Sequence, residues 1–217
     1  MLVDSSGSIG KDLFDNYVKP FAKHMVDAID AKFPIGPGAD SRLGVTSFSR
    51  NSAEIVKLPN GTSVSDIKKA IDNMQFSDSW THAVEFSEMA HQSLLRNNRG
   101  YPMHLILITD GIPTSSQTSN QEETKEKLIA KMQEINADDI RVSIYGFAGD
   151  RAPDTNIDEI FSGFEELSNL YLSKDRDTTD GMDDRFTDGR AHEFLHNFDT
   201  TCREYWFTFT TYEVQFD

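Results

Sequence analysis

Hydrophobic positions along the chain switch between compact runs of strand length and stripes at helical spacing. Met1–Val3 is apolar and reads as the end of a strand, followed by the polar loop Asp4-Ser5-Ser6-Gly7-Ser8. Phe14, Val18, Phe21, Met25 and Ile29 then recur at helical intervals and mark one buried helix face. Pro20 lies inside that stripe and should kink the helix or remove one of its hydrogen bonds. Leu43–Phe48 and Ala53–Leu58 read as strands joined by a hairpin turn at Ser49–Ser52. Val64–Met74 and Thr81–Leu95 read as helices, the second with Val84, Met89 and Leu95 among its apolar positions. His104–Ile108, between Pro102 and Asp110-Gly111, has the unbroken apolarity of a strand buried on both faces. Glu122–Ile135 follows as a helix, Arg141–Phe147 as a strand, Ile157–Leu170 as a helix and Tyr171-Leu172 as a brief strand. Beyond it, Asp175–Asp188 is acidic and has no apolar period, His192–Tyr205 reads as a last helix, and Trp206–Phe216 alternates like an extended strand.

Strands that alternate with crossover helices predict an α/β fold, a three-layer Rossmann-like sandwich with a mostly parallel central sheet and helices on both faces. The 217 residues suit one domain, expected over residues 1–205, with 206–217 as a C-terminal extended strand or linker. Because the chain opens inside an apolar strand, the first strand is expected to be truncated and the chain to be part of a longer protein.

Composition narrows the function. The net charge of −15 argues against a nucleic-acid partner, which needs a basic surface to neutralise phosphates. A mean hydropathy of −0.51 and short apolar runs argue against direct membrane insertion of this segment. Cys202 is the single cysteine, so no internal disulfide can form.

The candidate chemistry sits where strands end, the place at which parallel sheets bind ligands. In Asp4-Ser5-Ser6-Gly7-Ser8 the alternation of Asp4, Ser6 and Ser8 can turn three oxygens one way, and Gly7 permits the bend. Thr109-Asp110-Gly111 follows the most apolar strand, and the Phe76–Thr81 loop enters a helix. Hydroxyls and carboxylates from separate loops suit Mg²⁺, which takes six oxygens and keeps some waters.

Met1-Leu-Val-Asp-Ser-Ser-Gly-Ser-Ile-Gly10 together with Leu105-Ile-Leu-Ile-Thr-Asp-Gly111 resembles the metal-ion-dependent adhesion site of von Willebrand factor A domains and integrin inserted domains. The order of elements is similar from Met1 to about Tyr205. Asp110-Gly-Ile-Pro113 is most similar to the thrombospondin-related anonymous protein adhesins. The resemblance implies that Ser6 and Ser8 bind the cation directly, while Asp4 and Asp110 hold it mainly through waters and hydrogen bonds. It implies Mg²⁺ as the cofactor, with Mn²⁺ or Ca²⁺ as alternatives, and an open coordination position for an acidic group of a protein or glycan ligand. It also implies a non-enzymatic domain, outside the cell or on its surface. One position departs from the family. Counting back from Ala83-Val84 places Asp78 where a Thr ligand is usual, so the third loop offers Asp78, Ser79, Ser77, Thr81 or no ligand. Ser79 and Gly111 are the neighbours expected to face the bound partner.

Two other readings compete. The domain could be a structural module of an extracellular matrix or filament assembly, its metal site vestigial or stabilising and Trp206–Phe216 an interface for homo- or hetero-assembly. His192-Glu193-Phe194-Leu195-His196 matches the H-E-x-x-H helix of zinc hydrolases, but an apt third ligand is lacking and the helix stripe puts both histidines on a flank. In Asp175–Asp184 the spacing misses the EF-hand pattern because Asp180 comes one position late, which favours a solvated loop over a Ca²⁺ site. Asn60-Gly61-Thr62 is a glycosylation sequon and equally a turn, and His82 and His104 read as packed or exposed side chains.

Overall fold

The computed structural model describes residues 1–50, 53–58, 61–111, 120–150, 156–173, 186–187, 190–191 and 193–195. Six strands, β1 (Leu2–Asp4), β2 (Val45–Phe48), β3 (Ala53–Val56), β4 (Met103–Thr109), β5 (Ile140–Phe147) and β6 (Asn169–Ser173), form one sheet in the order β3-β2-β1-β4-β5-β6. All neighbours are parallel except the β2–β3 hairpin. The helices are α1 (Lys11–Leu13), a π-helical turn (Phe14–Val18), α2 (Lys19–Lys32), α3 (Val64–Asp72), α4 (Ala83–Arg96), α5 (Gln121–Ala137) and the single turn α6 (Ile157–Ile160).

Two apolar layers flank the sheet, as expected for parallel strands covered on both faces. One packs α2 and α3 against Val3, Ile106, Ile108 and Tyr145. The other packs α4 and α5 against Leu2, Leu105, Leu107 and Ile144. The predicted stripe Phe14, Val18, Phe21, Met25 and Ile29 is buried throughout. Phe186 returns to this first layer, its ring 5.0 Å from that of Phe147 and 5.8 Å from that of Phe21. Met89, predicted among the apolar positions of α4, is instead exposed.

Pro20 does not break its helix. It lies two residues after the π-helical turn, and the helical backbone at Leu13, Val18 and Lys19 shows that the path runs on through it from α1 to α2. A helix over Ile157–Leu170 is not what forms. α6 stops at Ile160, Phe161 and Phe164 turn inward, and Gly163 takes a left-handed φ of 89° that ends any helical path. The released residues let β6 begin at Asn169, two residues before the predicted strand. Among the described residues no helix is long and apolar enough to cross a membrane.

Close packing at the carboxyl end of β5 sets a severe local limit. A Cβ on Gly146 would lie 2.6 Å from the Phe161 ring and 2.7 Å from Leu172 Cδ2. Gly146→Ala should therefore cost about 1–3 kcal/mol of stability, read as a lower urea midpoint at unchanged slope. A second test concerns His104, whose Nε2 lies 2.7 Å from Ser143 Oγ. Burial, with Arg141 acting in the same direction, pushes its pKa from 6.5 down to about 3. The unfolded imidazole takes up a proton before the folded one, so stability is retained above pH 6.5 and lost as pH falls from there toward 3. His104→Gln should flatten that acid limb in urea melts between pH 4 and 6.5, measured against the parent.

Candidate metal centre

The sheet order reverses at β1 and β4, so the loops leaving their carboxyl ends open a crevice at the switch point. Asp4 ends β1 and Asp110 directly follows β4. Both are buried, at 0% and 1% exposure, as are Ser5, Ser6 and Thr109. Burial at a loop obliges these polar groups to find partners within the protein.

Asp4 organises the first loop. Its Oδ1 accepts the Ser6 backbone N–H at 2.9 Å, and its Oδ2 accepts the Thr109 hydroxyl at 2.6 Å. The first bond folds Asp4-Ser5-Ser6 back as an Asx-type turn, and the second ties that turn to the end of β4. Thr109 Oγ1 also accepts the Gly111 N–H at 3.0 Å, which fixes the backbone just past Asp110. The Ser6 and Ser8 hydroxyls emerge on the same side, 3.2 Å apart.

The third loop is strapped to the first by main-chain bonds. Ser77 N–H donates to the Ser5 carbonyl at 2.8 Å, and Gly7 N–H to the Ser79 carbonyl at 2.9 Å. Asp78 lies between these two bonds with its carboxylate over Gly7, where an added Cβ would come 2.8 Å from Oδ1. The neighbouring hydroxyls are turned to each other: Ser77 Oγ and Ser79 Oγ are 2.7 Å apart, and Ser79 Oγ accepts the Arg50 N–H at 3.2 Å. Thr81 is buried, and Trp80 stands 62% exposed on the same loop.

A fourth wall comes from the loop after β5. A Cβ on Gly149 would lie 2.5 Å from the Ser8 carbonyl oxygen and 2.7 Å from Asp110 Oδ2, so the bare glycine backbone closes against the site. Asp150 N–H donates to the Ile9 carbonyl at 3.0 Å and holds that wall in place. Gly111 is forced in another way: its φ is 75° and a side chain would run into the Phe161 ring.

Asp4, Ser6, Ser8, Asp78 and Asp110 thus belong to one crevice, with Ser79 and Gly111 at its edges. The sequence did not single out Gly149 or Trp80. Gly149 could have been suspected from the Ala-Gly-Asp turn at the carboxyl end of an apolar strand. The donors are all hard oxygens, the chemistry that suits Mg²⁺ or Mn²⁺. Burial pushes the Asp4 carboxyl up to about 6, against the bonds from Thr109 and Ser6 that pull it down. A buried carboxylate in this setting is stabilised by any positive charge placed beside it, so the residues fit a divalent cation.

The HExxH segment is only partly visible. His192 and His196 lie outside the described residues, as do most of the acidic Asp175–Asp188 stretch, Cys202 and Trp206–Phe216. The Glu193 carboxylate accepts the Tyr171 hydroxyl at 2.9 Å and is 3.1 Å from Arg190 Nη1. Phe194 and Leu195 of the same segment are buried.

Comparison with known proteins agrees with this fold. Collagen alpha-1(VI) chain of Gallus gallus is 27% identical over 162 residues, covering 67% of this chain and 15% of the collagen. Collagen alpha-6(VI) chain of Homo sapiens is 37% identical over 113 residues, or 51% of this chain and 5% of the collagen. The chain therefore spans a small part of the length of these relatives. Among solved structures, manganese-loaded Plasmodium vivax TRAP protein superposes with a TM-score of 0.63 at 17% identity, covering 89% of this chain and 69% of that one. Proximal thread matrix protein 1 from the mussel byssus, with a zinc-occupied MIDAS motif, gives a TM-score of 0.63 at 18% identity over 93% of this chain and 46% of its own. At such identities the structures speak for the fold alone. The model of the von Willebrand factor type A domain matches residues 1–184, most of the sequence, and this chain belongs to that family.

Proposed function

We propose that this domain holds one divalent cation, Mg²⁺ or its close substitutes Mn²⁺ and Ca²⁺, and uses it to grip an acidic group on a protein or glycan outside the cell. The observation that carries the reading is the convergence of the Ser6 and Ser8 hydroxyls, 3.2 Å apart, with buried Asp4 and Asp110 from adjacent strand ends. Ser6 and Ser8 are the direct ligands in this reading. Asp4 and Asp110 orient them and hold bound waters. The bound cation would supply an electrophilic position at the rim of the crevice, where a carboxylate can complete its coordination. No residue of the crevice is assigned a catalytic role.

Asp78 is the third-loop ligand in our reading. Its carboxylate overhangs Gly7, in the loop that carries Ser6 and Ser8; the Ser77 and Ser79 hydroxyls bond to each other, and Ser79 Oγ also accepts the Arg50 N–H. A third carboxylate tightens the hold on the cation and lowers the net charge presented outward, which weakens the pull on an acidic partner. Exposed Trp80 offers that partner an apolar surface beside the crevice.

Similarity to collagen VI chains favours a second reading, a matrix module in which the cation only braces the loops. Chelation separates the two. Under the adhesive reading, capture of a partner is abolished by EDTA and restored by Mg²⁺ or Mn²⁺; capture of every partner unaffected by EDTA refutes it.

Cation binding itself should raise the melting temperature, with about 2.7 kcal/mol of added stability at a hundredfold excess over Kd. Ser6→Ala/Ser8→Ala should abolish that gain in calorimetric scans with and without Mn²⁺ while leaving the metal-free melt close to the parent. Asp78→Thr should weaken Mn²⁺ binding in a titration yet increase Mn²⁺-dependent retention on a carboxylated surface. Retention that falls together with affinity would remove Asp78 from the assigned role.

A further inference from the structure

On the outer side of the α4–α5 layer, away from the three loops, a second set of ligand-type side chains meets. Glu88 and His91 lie three residues apart on α4 and so share one face of it. Glu134 comes from α5, and Asp138 is the residue that caps the end of α5. The carboxylates are reachable from solvent, with side-chain exposures of 43%, 54% and 46% for Glu88, Glu134 and Asp138, whereas His91 is 1% exposed. One ligand atom from each of Glu88, His91 and Glu134 falls within 4.8 Å of the others.

The two nitrogens of the buried imidazole have unlike surroundings. Nε2 lies 2.8 Å from Asp138 Oδ2. Nδ1 is buried without a hydrogen bond and faces Glu134 Oε1 at 3.9 Å. A neutral imidazole has one N–H, and the Asp138 carboxylate can only accept, so the proton belongs on Nε2. The Nδ1 lone pair is then directed at acidic side chains, an arrangement that is unfavourable unless a positive charge stands between them. Lys131, 15% exposed, already supplies one such charge: its ammonium bridges the Glu88 and Glu134 carboxylates.

We propose that Glu88, His91 and Glu134 form a second cation site, suited to a transition ion of the Zn²⁺ class, with Asp138 positioning the imidazole and Lys131 as the internal cation that the metal displaces. Carboxylate–histidine–metal chains are the usual way an imidazole ligand is held in one tautomer, and Asp138 is placed for that part. The nitrogen donor separates this site from the loop crevice, because imidazole favours Zn²⁺ and its neighbours over Mg²⁺ and Ca²⁺. Tetrahedral Zn²⁺ with bonds near 2.0–2.1 Å needs its ligands roughly 3.3 Å apart, closer than they now stand. The adjustment falls on the two exposed glutamates, while the buried histidine stays where Asp138 holds it. Three protein ligands leave the fourth position to water or to a group from a partner.

The test uses the whole chain at pH 7.5 in millimolar Mg²⁺, which fills the oxygen-lined crevice, in a His192→Gln/His196→Gln background that removes the other histidine pair. Zn²⁺ is titrated by calorimetry while ¹⁵N signals of the histidine rings are followed. One Zn²⁺ should bind, with the His91 Nδ1 resonance moving and Nε2 keeping its proton. Glu134→Gln and Asp138→Asn, isosteric changes at exposed positions that remove charge and keep shape, should each weaken Zn²⁺ binding by about tenfold or more. Lys131→Gln should strengthen it, since the competing ammonium is gone, an effect opposite to that of breaking a structural ion pair. Ser6→Ala/Ser8→Ala should leave this Zn²⁺ binding unchanged, which keeps the test independent of the crevice. Parent-like Zn²⁺ affinity in Glu134→Gln, an unmoved His91 signal, or weaker binding in Lys131→Gln would overturn the proposal.

Discussion

The bond from the Thr109 hydroxyl to the Asp4 carboxylate joins two neighbouring strand ends across 105 residues of chain, and the crevice is arranged around it. A carboxylate with no exposed surface must be fully bonded, and Asp4 meets that demand with one donor from its own loop and one from β4. The first donor bends the loop so that Ser6 and Ser8 share a side. The second sets where Asp110 stands. The first contact is a local Asx turn within Asp4-Ser5-Ser6, whereas the second follows only once β1 and β4 are neighbours in the sheet.

Fold and site share the same polar network. Ser5 is an example: its N–H and hydroxyl both donate to the Phe48 carbonyl, at 2.9 and 3.0 Å, while its own carbonyl receives Ser77 N–H. Ser47 Oγ donates to Ser5 Oγ at 2.9 Å, so a side chain of β2 supports the first loop as well. Loops usually lie on the surface, where water satisfies them. These are drawn inward, and the sheet ends supply what water would have given. That explains how loops of serine and aspartate remain ordered enough to hold a defined set of oxygens.

Periodicity revealed most of the architecture because buried strands and amphipathic helices have different repeats. The apolar run at Leu105–Ile108 and the stripe from Phe14 to Ile29 are both in the core. Residues 157–170 misled the same reasoning, since Ile157, Phe161 and Phe164 are spaced like a helix face although they are buried from a succession of turns. Pro20, expected to kink its helix or remove a hydrogen bond, comes just after a π-helical turn, a local form that no residue pattern announces. At the crevice, the DxSxS spacing and Asp110 were legible, and Asp78 was open. Its place came from backbone bonds on either side, which depend on loop register and not on residue type. Glu88, His91, Lys131 and Glu134 were illegible for another reason: charged residues on two helices look solvated until the helices pack.

The central position of β1 has a consequence for load. All three of its residues pair with β2, at Thr46 to Phe48, and Leu2 and Val3 also pair with Leu107 and Ile108 of β4. If a partner is held at the crevice as proposed, a pull directed along the strands would enter at their carboxyl ends. The rungs of the ladder are then strained together in shear instead of being unzipped singly from one edge. With the first loop also tied to the Ser77–Ser79 loop and to Thr109, tension entering at Ser6 or Ser8 spreads over three neighbouring strands and the loop before α4. A short strand in the middle of a sheet is then placed where such a load would be shared between its two neighbours.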